Sequence, residues 1–388
     1  MSIKIPRDKE NNYSEKIISE RKKFIASQTK KDTFHINKYS FNPEVTVGNI
    51  ENFIGVSQVP MGLAGPLLVN GEYANGEFFV PLATTEGTLV ASYNRGMKVA
   101  AECGGVKTTI LDDKMNRAPC FVFDDARLAK KFVSWVRENY ETIKELAEST
   151  SSVAQLKDIE IHPAAKMVWL RFNYFTGDAA GQNMVTKATR KACIWIKEQI
   201  EGLHYFTLAA SFDTDKKHSH VNYMNTRGKK IVAEITIPNE IMKKRFRIDT
   251  KTVYYQRMLS AHGSLISGST NNGIHSANGI TAMFIACGQD VANVAESSAG
   301  LAYSEIKDNG DYYYSITIPA LIVATYGGGT ALPTQRECLE MMDCYGKDKV
   351  NKFAEIVAAT VLCGDISLSG AVLSDEWVSS HEEYGRNR

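Results

Sequence analysis

No run of about 18 apolar residues occurs along this chain of 388 residues, and its start, Met1 to Glu10, is polar and charged. Neither a membrane anchor nor a secretory signal is expected. Charge of one sign is not in excess: the net charge is +1, so no global field draws in nucleic acid or an anionic membrane. Phosphates must be held by local groups. The seven cysteines form no Cys-x-x-Cys pair and sit mostly among apolar neighbours, which fits free thiols in a reducing cytosol. Internal repeats and low-complexity segments are absent. So is Gly-x-Gly-x-x-Gly between a strand and a helix, the usual mark of a dinucleotide site. His218 and His220 stand at i, i+2 without a third ligand nearby, which argues against a zinc enzyme. The remaining composition, 44% hydrophobic and 23% charged, is that of a globular protein long enough for two or three domains.

What is present is concentrated between Glu51 and Pro119. Glu51-Asn52-Phe53-Ile54-Gly55, Pro60-Met61-Gly62-Leu63-Ala64-Gly65-Pro66 and Pro81-Leu82-Ala83-Thr84-Thr85-Glu86-Gly87 follow one another closely. Glycine and proline at such spacing suit a surface that receives a ligand. Thr84 or Thr85 is placed to cap a helix through Leu89, Val90, Ala91, Val99 and Ala100, with Glu86 in its first turn. Taken alone, a glutamate there serves the helix dipole.

Residues 13 to 30 read as a basic helix with a narrow stripe of Ile17, Ile18, Phe24 and Ile25, docking on the body or on a second subunit. Arg127 to Glu148 reads as one amphipathic helix, Met167 to Phe175 as a strand and Gln182 to Gly202 as a helix. Beyond Lys217 come a strand (Lys230 to Ile237), a helix (Asn278 to Glu296), strands Tyr312 to Ile318 and Leu321 to Thr325, and helices at Pro333 to Tyr345 and Asp348 to Cys363. This pattern predicts an α+β fold: a helical N-terminal region over 1–50, a main body over 51–117 and 209–388, and a small inserted domain over 118–208. On the Asn278 helix, Asp290 shares a stripe with Met283, Ala286, Cys287 and Val294. A carboxylate on an apolar face needs a cation, in a structural ion pair or in a tuned catalytic Lys–Asp pair.

The Glu51 block continues, in order, with Met115-Asn116-Arg117-Ala118-Pro119, Gly177-Asp178-Ala179-Ala180-Gly181-Gln182-Asn183-Met184, Asp215-Lys216-Lys217, Gly288-Gln289-Asp290, Gly327-Gly328-Gly329-Thr330 and His381. This set resembles 3-hydroxy-3-methylglutaryl-coenzyme A (HMG-CoA) reductase over the whole chain apart from its N-terminal region. The resemblance implies a large CoA- and substrate-binding domain and an inserted ferredoxin-like dinucleotide-binding domain. It implies four-electron reduction of HMG-CoA to mevalonate with NADPH or NADH, in isoprenoid precursor synthesis by the mevalonate pathway. Longer family members carry a membrane-spanning N-terminal region; this chain resembles the soluble, cytoplasmic catalytic portion, with no nucleic-acid or membrane partner. A homodimer or dimer of dimers with its active site shared between subunits is implied as well.

Carried over residue by residue, the resemblance makes Glu86 the proton donor to the nascent alkoxide and Lys216 the cation on the carbonyl oxygen. Asp290 links the two, and His381 protonates the coenzyme A thiolate. Arg117 and Lys217 match acyl-binding positions, His275 and Asn278 further active-site positions, and Ser92, Asn94 and Arg95 the coenzyme A side. Ser151, Asp178, Gly181, Gln182, Asn183, Gly327, Gly328 and Gly329 match the dinucleotide site, and no metal is implied. Small residues at Gly177 to Gly181, opening the Gln182 helix, also suit close approach of a pyrophosphate to exposed amides.

Three positions depart from the family. Ser152 stands where NADPH-using relatives have an arginine, and a hydroxyl cannot reproduce the bidentate guanidinium–phosphate pair. Lys157 is the available substitute, and NADPH stays the default. Leu259 stands where a lysine pairs with the distal carboxylate of the acyl group, leaving Arg257 as the alternative cation. Ala209 replaces a serine before the Asp-Lys-Lys loop. The alternatives are a reductase of a related acyl-CoA lacking that carboxylate and a non-catalytic CoA-binding relative.

Overall fold

The computed structural model describes residues 3–374, so His381 lies outside the described residues. Its ten strands form one sheet. They are β1 (Met61–Gly71), β2 (Asn75–Ala83), β3 (Val106–Arg117), β4 (Cys120–Phe123), β5 (Gln155–Ala164), β6 (Met167–Phe175), β7 (Leu203–Thr207), β8 (Gly228–Ile237), β9 (Leu301–Ile306) and β10 (Tyr312–Leu321). The order is β7-β4-β6-β3-β8-β10-β9, with β1 carrying β2 beside β3 and β5 beside β6. The long strand β3 changes partners along its length. Its first part pairs with β8, from Lys107 opposite Glu234, and its end, Met115 to Arg117, pairs with β6. Arg117 therefore leaves the sheet where its two halves meet.

Each half has its own core. One gathers β1, β2, β8 and β10 around the helix Val350–Leu373; the other packs β4 to β6 against the helices Ala126–Glu138, Tyr140–Glu148 and Gln182–Gln199. By length and composition Val350–Leu373 is apolar enough to cross a membrane, yet 83% of its apolar window is buried inside the chain. It is the central core helix. The helix Leu89–Glu102 crosses it at Gly96, where any Cβ would collide with the Cys363 carbonyl. That close approach brings Ser92 and Arg95 onto Ser367.

The helix Glu15–Thr29 docks on its own chain, placing Ile17 and Ile18 against Phe53, Tyr39 and Phe41. The buried Arg21 donates to the carbonyls of Pro6, Asn12 and Phe53.

Several sequence expectations need correction. The Arg127–Glu148 stretch is two helices, divided at Asn139, whose side chain competes for the Trp135 carbonyl. The helix carrying Glu86 begins only at Leu89, behind a left-handed Thr88, so Glu86 precedes it, with its N–H on Thr84 Oγ1. The Asn278–Glu296 helix runs as Ser276–Ala286, then breaks at Gly288. There φ is +66°, and a Cβ would strike the Gly329 carbonyl. Asp290 lies beyond that break, not on an apolar helical stripe. The final helix runs ten residues past the expected Cys363, to Leu373.

Candidate active site

The Asp-Lys-Lys motif lies on the loop after β7. Its Lys216 ammonium is 2.9 Å from Asp290 Oδ2, with both side chains about two-fifths exposed. A pair so exposed stabilises a fold by about 0–1 kcal/mol. Stability does not explain it. Asp290 caps a short turn by accepting from the Ala292 N–H, so a backbone bond orients the carboxylate that meets the lysine. Beside it, Arg117 grips Asp213 at 2.6 Å and donates to Thr186, while Lys217 reaches the Asp215 carbonyl at 3.1 Å.

Asp290 also lines a cavity of about 640 Å³. One wall is Gly181, Gln182 and Asn183; the other is Gly327, Gly328 and Gly329. Gly181 is the left-handed residue before the Gln182–Gln199 helix, so the unpaired first amides of that helix face this region. Positive φ at Gly327 and Gly328, with open space where a Cβ would stand, gives the opposite wall a bare backbone. Gln182 is tied to Asn293 and Asn49 to the Gly328 carbonyl, which holds the walls in register. The cavity volume suits a nucleotide-sized ligand.

Asp178 has a different place. Its carboxylate accepts the N–H groups of Asp348, Lys349 and Val350, the start of the core helix, and its carbonyl accepts those of Thr325 and Tyr326. It staples the two glycine loops to the core helix, and its charge suits that helix N-terminus. It also borders a second cavity of about 710 Å³, lined by Val153 and Lys347 and sharing Ala179, Met184 and Tyr326 with the first. Ser151 folds back to accept from the Val153 and Ala154 N–H groups. Lys157 is held by the Asp113 carbonyl at 2.7 Å.

Glu86 belongs to another cluster. Asn278 Nδ2 donates to its Oε2 at 2.8 Å. His275 stacks on Tyr93 at 4.8 Å, and the Tyr93 hydroxyl donates to the His275 carbonyl. The His275 N–H and the Tyr314 hydroxyl both donate to the fully buried Asp365. Burial pushes the Asp365 carboxyl up and the His275 imidazole down. Ser92 and Arg95 meet on Ser367, and Asn94 accepts from the Gly65 N–H at 2.7 Å.

The Glu86 and Lys216 clusters sit at opposite ends of the Ser276–Ala286 helix, beside Asn278 and beyond its C-terminus. From Asn278 to Ala286 the helix rises by about 12 Å along its axis. Leu259 is 55% exposed and Arg257 only 4%. The Arg257 guanidinium lies over the Tyr314 ring and donates to the Asn272 carbonyl, so it does not replace the missing lysine at the surface. His218 is bonded to Tyr223 and Thr270, and no group of three metal-ligating residues occurs among the described residues. Asp213, Arg227, Glu296, Ser367 and Asp365 carry no role in the sequence reading. Each is a common residue type in a common context, and only its tertiary partner marks it.

Residues 17–386 match the family model described as hydroxymethylglutaryl-coenzyme A reductase. The 3-hydroxy-3-methylglutaryl-coenzyme A reductase of Methanocaldococcus jannaschii is 45% identical over 98% of this chain and 96% of its own length. That of Pyrococcus abyssi is 43% identical over 91% and 88%. Among solved structures, the class II enzyme of Streptococcus pneumoniae bound to NADPH in open conformations superposes with a TM-score of 0.70. It covers 92% of this chain and 97% of its own at 18% identity, a likeness of fold. With relatives this similar along nearly its full length, the chain belongs to the hydroxymethylglutaryl-coenzyme A reductase family.

Proposed function

We propose that this protein reduces HMG-CoA to mevalonate and free coenzyme A, using two molecules of NADPH, within the mevalonate pathway. The observation that carries the reading is the Lys216–Asp290 pair at the edge of the glycine-walled cavity. NADPH, when bound there, supplies the hydride for each reductive step. The bare backbone of Gly327 and Gly328 and the amides at the start of the Gln182 helix fit its pyrophosphate.

Negative charge gathers on the carbonyl oxygen as the thioester becomes a hemithioacetal, and again as the aldehyde becomes the alcohol. Lys216 holds that oxygen, oriented by Asp290, and Glu86 donates the proton. Asn278 aims the Glu86 carboxyl through its 2.8 Å bond. Between the two reductions the thiolate leaves, and His381 is the residue assigned to protonate it. Arg117 and Lys217 bind the acyl portion, and Ser92, Asn94 and Arg95 face coenzyme A. Residues 118–208 act as a ferredoxin-like dinucleotide domain inserted in the body formed by 51–117 and 209–388.

Glu86 and Lys216 then belong to different copies of the chain in any one site. Their places at opposite ends of one helix support this. So do the exposed Met258, Leu259, Leu265 and Ile266 on the helix Thr250–Ile266 and Leu301 and Tyr303 on the edge strand β9. The protein is expected to work as a cytoplasmic homodimer or dimer of dimers.

The test is NADPH oxidation followed by absorbance with HMG-CoA, acetoacetyl-CoA and a simple acyl-CoA. Turnover with HMG-CoA, at two NADPH per mevalonate, is expected. Turnover with the simple acyl-CoA alone would transfer the reading to a related thioester, in keeping with Leu259.

A further inference from the structure

Behind Lys216 lies a charge cluster with no part in the steps above. Glu296, on the short helix Val294–Ser297, is 1% exposed. Its Oε1 accepts the main-chain N–H of Lys216 at 3.0 Å and also the Arg227 guanidinium, and its Oε2 accepts from Asn222 at 3.3 Å. Arg227, fully buried, reaches Asp215 Oδ1 with its other nitrogen at 2.9 Å. Two neighbouring points of one loop are thus tied to the same buried pair.

That loop is strained. Lys216 has φ +56°, Thr214 +57° and Ser211 +62°, all in the left-handed region without being glycine. Each such residue costs about 1–3 kcal/mol and persists only where its surroundings over-determine it. A buried ion pair is by itself weak evidence of stabilisation, since hydrophobic replacements are often as stable. Its target is the informative part: the carboxylate takes the amide of the very residue whose ammonium meets Asp290.

We propose that Glu296 and Arg227 are positioning residues for the reduction, holding Lys216 in the left-handed conformation from which its ammonium reaches Asp290 and the reacting oxygen. This rests on the reading of Lys216 as the cation at that oxygen. Loss of the Glu296 acceptor frees residue 216 to relax, which swings its Cα–Cβ bond. A displacement of about 1 Å at a reacting group costs on the order of 100-fold in rate. Because the lysine meets full negative charge only in the transition state, the loss falls on kcat and not on KM.

The experiment measures steady-state NADPH oxidation by the full chain carrying Glu296→Ala, Glu296→Gln or Lys216→Ala. Rates are expressed per dinucleotide site titrated by NADPH fluorescence. The expected result is a fall in kcat of about 100-fold for Glu296→Ala and about tenfold for Glu296→Gln, with KM for both substrates within about threefold. Wild-type kcat per site in either folded variant, or a raised KM with kcat intact, overturns the proposal. If Glu296→Ala does not fold, Glu296→Gln decides alone, and failure of both to fold assigns the pair to stability and overturns it too. An active Lys216→Ala variant overturns the underlying reading. An inactive one beside fully active Glu296 variants overturns only the positioning role.

Discussion

Lys216 Nζ lies 2.9 Å from Asp290 Oδ2, in a pair half open to solvent, although the two residues come from separate loops on either side of β8. An exposed pair adds about 0–1 kcal/mol to stability, whereas a preorganised cation at a developing oxyanion is worth several. Lys216→Ala should therefore leave the melting temperature within a few degrees of wild type and lower kcat by about 10²–10³-fold. Glu86→Gln should behave alike. Full turnover by either folded variant refutes its assignment.

Mixing the two inactive proteins tests whether sites are shared. If Glu86 and Lys216 of one site come from different copies, a hybrid dimer carries both lesions in one site and none in the other. Re-equilibrated one to one, the mixture should recover about a quarter of wild-type activity. If both residues act within one chain, no activity returns.

Ser152 offers no guanidinium to a 2′-phosphate, and Lys157 is engaged by the Asp113 carbonyl. Ser152→Arg should lower KM for NADPH about tenfold, as a charge-assisted bond worth about 1.5–3 kcal/mol allows, and leave KM for NADH unchanged. Equal effects on both dinucleotides would place the adenosine ribose elsewhere.

Leu259 stands exposed at the position where the family resemblance leads one to expect a lysine, and Arg257 is turned into the core. Leu259→Lys should reduce KM for HMG-CoA severalfold, by about 1 kcal/mol for a partly solvated ion pair, and leave a simple acyl-CoA unaffected. An unchanged KM for HMG-CoA shows that the distal carboxylate is held by another group.

Burial pushes the Glu296 carboxyl up to about 7, against the pull of Arg227 and the Lys216 N–H and with the push of Asp215 and Asp213. A carboxyl raised from 4.5 binds more protons folded than unfolded between those values. Its contribution to stability is therefore complete below pH 4.5 and lost as pH rises through about 7. Denaturant unfolding of wild type and Glu296→Gln across this range should show the wild type losing ground as pH rises. A difference that stays constant with pH refutes the raised pKa.

The chemistry-bearing residues were legible because they travel in short strings. Glu86 in Pro-Leu-Ala-Thr-Thr-Glu-Gly, Lys216 in Asp-Lys-Lys and the glycines at 327–329 are ordinary one by one and stand out only as an ordered set that resembles a family. Periodicity also located the Met167–Phe175 strand to the residue and the Gln182 helix at its first turn. Asp290 sits beyond the helix that apolar spacing alone predicts for it. Apolar spacing continues through Gly288, and nothing local reveals that the Gly329 carbonyl occupies the space a continuing helix would need. The stapling role of Asp178 is not legible in the sequence, because its partners, the amides of residues 348–350, lie far along the chain.

The amino-acid sequence by itself determined which groups are available for reduction and the glycine loops that accompany them, since backbone freedom and side-chain chemistry are local properties. Only the tertiary structure decided which groups meet. It brought Asp290 to Lys216, buried Arg227 between Asp215 and Glu296, and set Glu86 at the far end of a helix from both. The reason is physical: an ion pair or a buried carboxylate is favourable only through a partner, and the partner is supplied by folding rather than by neighbouring residues.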